Sequence, residues 1–356
     1  MARLIDPLIA RPVARRIAGD ARVGDSYLME RLTRDLERSV PLAETLVAEK
    51  SGIPAPPAVR WGIIGRAEWA DRNIDAMTVL VRPLAERIEA RLDRLPWPLR
   101  LAQRTIVSTE VGVLLGYVSR RVLGQYDLLV PDDTPDAPKR SADGAPLYFV
   151  GVNIVETERR ASFVPEDFAL WVALHEVTHR FQFAGVPWLK QRFFELVSAY
   201  LGSVELDASG LAARLAGAAR RLASRSLPPE EKSPVYLLAT DEQRRALDDI
   251  QALMAVVEGH GNYVMDSIGA RVIPSIRRMR YVFDRRRSQL GAVQRAINHV
   301  LGLEMKLRQY ELGQRFCDEV VATGGEAALA RLWEGPESFP ALAELKEPNL
   351  WLRRVA

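Results

Sequence analysis

Apolar residues recur every three or four positions along most of this chain, the spacing that lays one apolar stripe along an α-helix. The pattern predicts amphipathic helices over 26–50, 67–94 and 99–124. Further on it predicts helices over 188–206, 209–225, 239–268, 271–289, 291–313 and 325–333. Gly112 and Gly116 fall inside the third of these, where they leave room for a close neighbour helix. Strand patterns are few. Residues 126–130 form one, and 147–155, rich in β-branched and aromatic residues, form the stronger one. Residues 131–146 between them are dense in Pro, Asp and Gly and read as a loop, as do residues 226–238 around Pro228, Pro229 and Pro234. No period of 20 to 50 residues recurs, which excludes a solenoid. The expected class is α+β, predominantly α-helical, with a small sheet just ahead of one particular helix.

That helix opens at Val164-Pro165-Glu166-Asp167. Proline suits the first helical position, and two acids suit the positive end of the helix dipole. An apolar run, Phe168 to Leu174, follows, and Gly185 and Pro187 predict a stop after Phe183. Inside lies His175-Glu176-Val177-Thr178-His179, an H-E-x-x-H sequence in a chain with only four histidines. Residues four apart share a helix face, so both imidazoles can point at one ion. The expected chemistry is zinc held by His175 and His179, with Glu176 as general base on a water. The alternative is a pair of core histidines, each needing its own buried partner.

A catalytic zinc site takes three protein ligands and leaves a position open. No histidine follows closely after His179, so the third ligand comes from elsewhere. Glu258 is favoured, because an acid deep in the apolar helical run 248–266 is costly unless paired or metal-bound. It would complete a His2Glu set. His260 competes, but two residues on it points about 200° away on a helix. Asp266 is a further candidate, and Asn262 is placed to hydrogen-bond the distal nitrogen of a ligand histidine.

With those residues in view, the chain resembles the zincin-like zinc metalloproteases that are named for an association with coenzyme F420 biosynthesis. The resemblance rests on 175–179, on Glu258-Gly259-His260, on 122–127, on 302–310, on Glu68 to Asn73 and on Trp351 to Arg354. It implies a zincin fold with His175, His179 and Glu258 on zinc and Glu176 as base. It also implies a sheet beside the H-E-x-x-H helix, so that an extended peptide could pair with the strand 147–155. No G-x-G-x-x-G fingerprint follows a strand, so F420 itself is not expected as a ligand.

Composition narrows the setting. The net charge is +3 over 356 residues, so no tight nucleic-acid binding is expected, although basic clusters occur at 277–280 and 285–287. Those clusters read as solvated helix faces. Cys317 is the single cysteine and cannot form an internal disulfide. Residues 1–20 lack the apolar stretch of a secretory signal, and no run of 18 apolar residues occurs. These features predict a cytoplasmic protein without a membrane span. The length suits one domain in two lobes. Residues 1–185 would carry the H-E-x-x-H helix and 186–356 would supply Glu258, with the active site in a cleft between them. The expected activity is zinc-dependent hydrolysis of an amide, in a peptide or a small molecule. Tyr310, His260, Tyr263 and Arg308 are candidates to stabilise the oxyanion. The rival reading is a non-catalytic metal-binding or interaction protein on the same scaffold.

Overall fold

The computed structural model describes residues 4–19, 26–57, 60–92, 96–128, 147–203, 236–237, 239–288 and 303–355. The elements are α1 (Pro7–Ala18), α2 (Tyr27–Lys50), β1 (Trp61–Ile64), α3 (Arg66–Leu80), α4 (Arg82–Leu92) and α5 (Trp97–Ser119). Then come β2 (Gly124–Tyr126), β3 (Leu147–Val150), α6 (Gly151–Ala161), α7 (Pro165–Gly185) and α8 (Pro187–Ser203). The last are α9 (Asp241–Val272), α10 (Ile276–Ser288), α11 (Leu303–Ala330), α12 (Leu342–Lys346) and α13 (Pro348–Val355). The chain divides into two compact units. One comprises Met1–Val186 with Val264–Phe283; the other comprises Pro187–Tyr263 with Asp284–Ala356.

In the first unit α1 packs along α5, and the two glycines explain how. A Cβ on Gly112 would lie 2.6 Å from the Ala10 carbonyl oxygen, and one on Gly116 would lie 2.6 Å from that of Ala14. The span 67–94 is two helices rather than one. Pro83 has no N–H to continue the ladder, and α4 restarts with that proline in its first turn. Helix α5 stops at Ser119, short of 124. The buried Asn153 amide donates to the carbonyls of Ser119 (2.7 Å) and Val122 (2.6 Å), while Asn153 Oδ1 accepts from Arg66 Nε at 2.6 Å. That cluster turns the chain out of α5 and into β2.

The sheet has three strands in the order β1-β3-β2, with β1 parallel and β2 antiparallel to β3. Three expectations fail here. The strand over 147–155 ends at Val150, and Gly151 opens α6. Val152, Ile154 and Val155 are buried on that helix, so tertiary packing overrides their preference for strands. Strand β3 is also hydrogen-bonded on both sides, to β1 and to β2. It offers no free edge, and an extended peptide cannot add to it. The expected 126–130 strand is displaced to Gly124–Tyr126. Strand β1 was not foreseen, being four residues just after a Pro-rich stretch. The 131–146 loop, the 209–225 helix and most of the 226–238 loop lie outside the described residues.

In the second unit α11 crosses α9 where two glycines meet. A Cβ on Gly313 would fall 1.7 Å from the Ala255 carbonyl oxygen, and one on Gly259 would fall 2.1 Å from the Gly313 carbonyl carbon. Neither position tolerates a side chain without the helices moving apart. At the C-terminal end, Trp351 is fully buried and donates to the Ser338 carbonyl at 2.7 Å. Arg354 ties Glu344 to the carbonyls of Glu337 and Phe339. Cys317 is buried, and burial pushes its thiol pKa up. Among the described residues no helix is long and apolar enough to cross a membrane.

Candidate metal centre

Helix α7 is buried over most of its surface, so each of its polar side chains has to be accounted for. Thr178 returns its hydroxyl to the Leu174 carbonyl at 2.7 Å. Arg180, 1% exposed, is clamped by Glu44 at 2.7 Å and by the carbonyls of Pro56 and Pro57. The two histidines have a different arrangement. Their Nε2 atoms face each other at 3.1 Å, with the rings nearly perpendicular at 84°. His179 Nδ1 lies 2.9 Å from Oε1 of Gln182, one turn on and fully buried. With Nδ1–H donated to that carbonyl, the lone pair of His179 is on Nε2.

A lone pair 3.1 Å from a second imidazole nitrogen suits a shared proton or a shared cation. The third group decides the chemistry. His175, His179 and Glu258 each offer one ligand atom, and the three atoms lie within 4.8 Å of one another. Two neutral imidazoles and a carboxylate form a donor set that could hold zinc. Gln182 does for His179 what was anticipated of Asn262. An amide three residues after the histidine on the same helix is ordinary in sequence, and only the distance singles it out.

Glu176 is 5% exposed and lies against β2. A Cβ on Gly124 would stand 2.6 Å from its Cγ and 2.8 Å from both Cδ and Oε1. Tyr148, on the neighbouring β3, is also buried. Burial raises its hydroxyl pKa, the charges of Asp127 and Glu176 add to the rise, and Arg72 and a hydrogen bond with Asn73 oppose it. It therefore remains protonated beside the glutamate.

The other candidates are placed as follows. Asp266 pairs with Arg280 at 2.6 Å, which also accounts for part of the 277–280 basic cluster. His260 is 1% exposed and meets Trp333 edge-on at 4.8 Å. Tyr263 donates to Glu326 at 2.6 Å. The side chains of Arg308 and Tyr310 lie outside the described residues.

Known proteins resemble the whole chain. A sequence model of zincin-like metallopeptidases matches residues 5–352. A solved structure from Chloroflexus aurantiacus, provisionally named a hydrolase with a novel fold, is 31% identical. The match covers 98% of each chain, with a TM-score of 0.70. No curated protein matches the chain.

Proposed function

We propose a function from one premise: the chain belongs to the zincin-like metallopeptidase family. The protein is a zinc-dependent hydrolase that cleaves amide bonds. His175, His179 and Glu258 hold the ion, and Glu176 is the base. The observation that carries this is the convergence of one ligand atom from each of the three side chains, next to a buried glutamate that is not itself in the ligand group. A zinc ion there would supply Lewis acidity and lower the pKa of a water towards about 7.

The residues of the chain do the rest. Gln182 keeps the His179 ring in one tautomer, so that Nε2 is available. Glu176 takes one proton from the attacking water as its oxygen bonds to the carbonyl carbon. It then delivers that proton to the amine nitrogen as the C–N bond breaks. Burial of Glu176 keeps bulk water from competing for the carboxylate.

The family name favours a peptide substrate. A small-molecule amide is the second reading, favoured by the absence of any free edge on β3. The test is metal analysis of the purified protein together with an amide hydrolysis screen, on wild type and Glu176→Gln. One zinc per chain in both, with hydrolysis in wild type alone, is the expected result. A wild-type chain that does not retain zinc rejects the metal site, and a fully active Glu176→Gln rejects the base.

A further inference from the structure

We infer that Gly124 is a positioning residue for Glu176, and that β2 serves as the platform on which the glutamate carboxylate is set. The inference rests on the function proposed above and goes beyond it by naming what fixes the base.

Gly124 is not required by its backbone conformation, since its φ is not positive. Space requires it. The atoms that a Cβ would meet, at 2.6 to 2.8 Å, are Cγ, Cδ and Oε1 of Glu176. Real Cβ contacts do not occur at such distances, so any side chain at 124 pushes the carboxylate off its place. The β2 main chain thus lies directly on the working end of the glutamate.

The platform is itself held. Gly124 is in register with Phe149 of β3. Just before it, the Leu123 carbonyl accepts from Val150 N–H at 2.8 Å. Just after it, Gln125 and Asn73 exchange two amide hydrogen bonds at 3.3 Å. The Asn153 amide fixes the carbonyls of Ser119 and Val122 on the approach. With its backbone tied on both sides, β2 has little freedom to retreat from an added methyl, so the mobile partner is the Glu176 side chain.

The same sheet supplies a control. Gly62 in β1 has nothing within 4 Å of its would-be Cβ. Gly62→Ala therefore measures the effect of an alanine in this sheet without a clash.

The probe is acetohydroxamate, added to zinc-loaded protein and followed by calorimetry. Its two oxygens chelate a metal, and its N–O–H proton passes to a carboxylate base beside the site, so its affinity reports where Glu176 stands. Zinc stoichiometry and melting temperature are measured alongside. Glu176→Gln and Gly124→Ala should each weaken acetohydroxamate about tenfold while keeping zinc, and Gly62→Ala should match wild type. In the double variant the Gly124→Ala change should add less than about twofold, because it acts through a carboxylate already removed. Wild-type affinity in Gly124→Ala, or full additivity in the double variant, overturns the inference. If Gly124→Ala fails to fold while Gly62→Ala folds, Gly124 is assigned to the fold and the positioning role is rejected. Failure of the wild type to bind zinc would reject the proposed function instead, so the two outcomes are separate.

Discussion

Replacing Gln182 by Ala tests how the proposed metal centre is tuned. Its Oε1 sits 2.9 Å from His179 Nδ1, and the side chain is fully buried, away from bulk water. With zinc on Nε2, the His179 proton is confined to Nδ1 and needs an acceptor. Without zinc the ring can move that proton to Nε2 and share it with His175, 3.1 Å away. The lost acceptor therefore costs mainly the metal-bound state. A buried donor left unsatisfied costs about 1–3 kcal/mol, which is about 5- to 150-fold in affinity at 1.4 kcal/mol per tenfold. That brackets the 10–100-fold typical of the loss of such a partner. Competition against a zinc chelator of known affinity measures it, with circular dichroism to confirm the fold. Gln182→Glu supplies the opposite sign: a stronger acceptor should hold zinc at least as tightly, while a buried uncompensated charge lowers the melting temperature of the metal-free protein. If Gln182→Ala binds zinc as wild type does, the argument from the His179 tautomer is wrong.

Three other perturbations test the third ligand and two carboxylates. Glu258→Ala should weaken zinc by at least tenfold in the same chelator assay, and a comparable loss confined to His260→Ala would transfer the third ligand to that residue. Asp35 is buried beside Arg31, and burial first, then the charge of Glu166, raises its pKa. Its charged form is disfavoured in the fold, so Asp35→Asn should raise the melting temperature near pH 7.5. The gain should shrink as the pH falls through the raised pKa, where the native carboxyl takes up its proton; a gain independent of pH would count against this. Glu344 shows the reverse, its pKa lowered first by the hydrogen bond from Arg354. Glu344→Gln should destabilise at pH 7, with the difference vanishing in acid as the native carboxylate protonates, and unchanged melting at pH 7 would show that the Arg354 tie contributes nothing.

What was legible in the sequence was mostly local. The helix of α7, its proline start and the pairing of His175 with His179 follow from a 3.6-residue period and need no tertiary information. The close approach of α1 to α5 was visible as glycines four apart, although not which helix would fill the gap. The break between α3 and α4 is written in the sequence as Pro83, which has no N–H for the helix ladder. The end of β3 was not readable in the same way. Residues 147–155 are apolar apart from Gly151 and Asn153, and it is the packing around Gly151 that goes with a helix beginning there. A Cβ on Gly151 would lie 2.6 Å from Ile63 Cγ2 and 2.7 Å from Met29 Sδ, contacts with segments about 90 and 120 residues away in the chain. Short apolar runs leave strand and helix unresolved until such contacts are known.

The same division runs through the site. Glu258 could be singled out because an acid in an apolar helix demands an explanation, and that demand is written in the sequence. Gln182 was equally close to the motif but carries no such anomaly, since an amide late in a helix is ordinary. Gly124 is harder still. It lies 52 positions from Glu176, and its importance is a shape that is not filled, which no pattern of residue types encodes. Ligands and bases therefore emerge from chemistry that is out of place, whereas the residues that hold them emerge only from distances. The small sheet shows what this means for function. From sequence it looked like a surface for substrate. In the structure its central strand is closed on both sides and its β2 strand lies against Glu176, the contact on which the proposed positioning role of Gly124 rests.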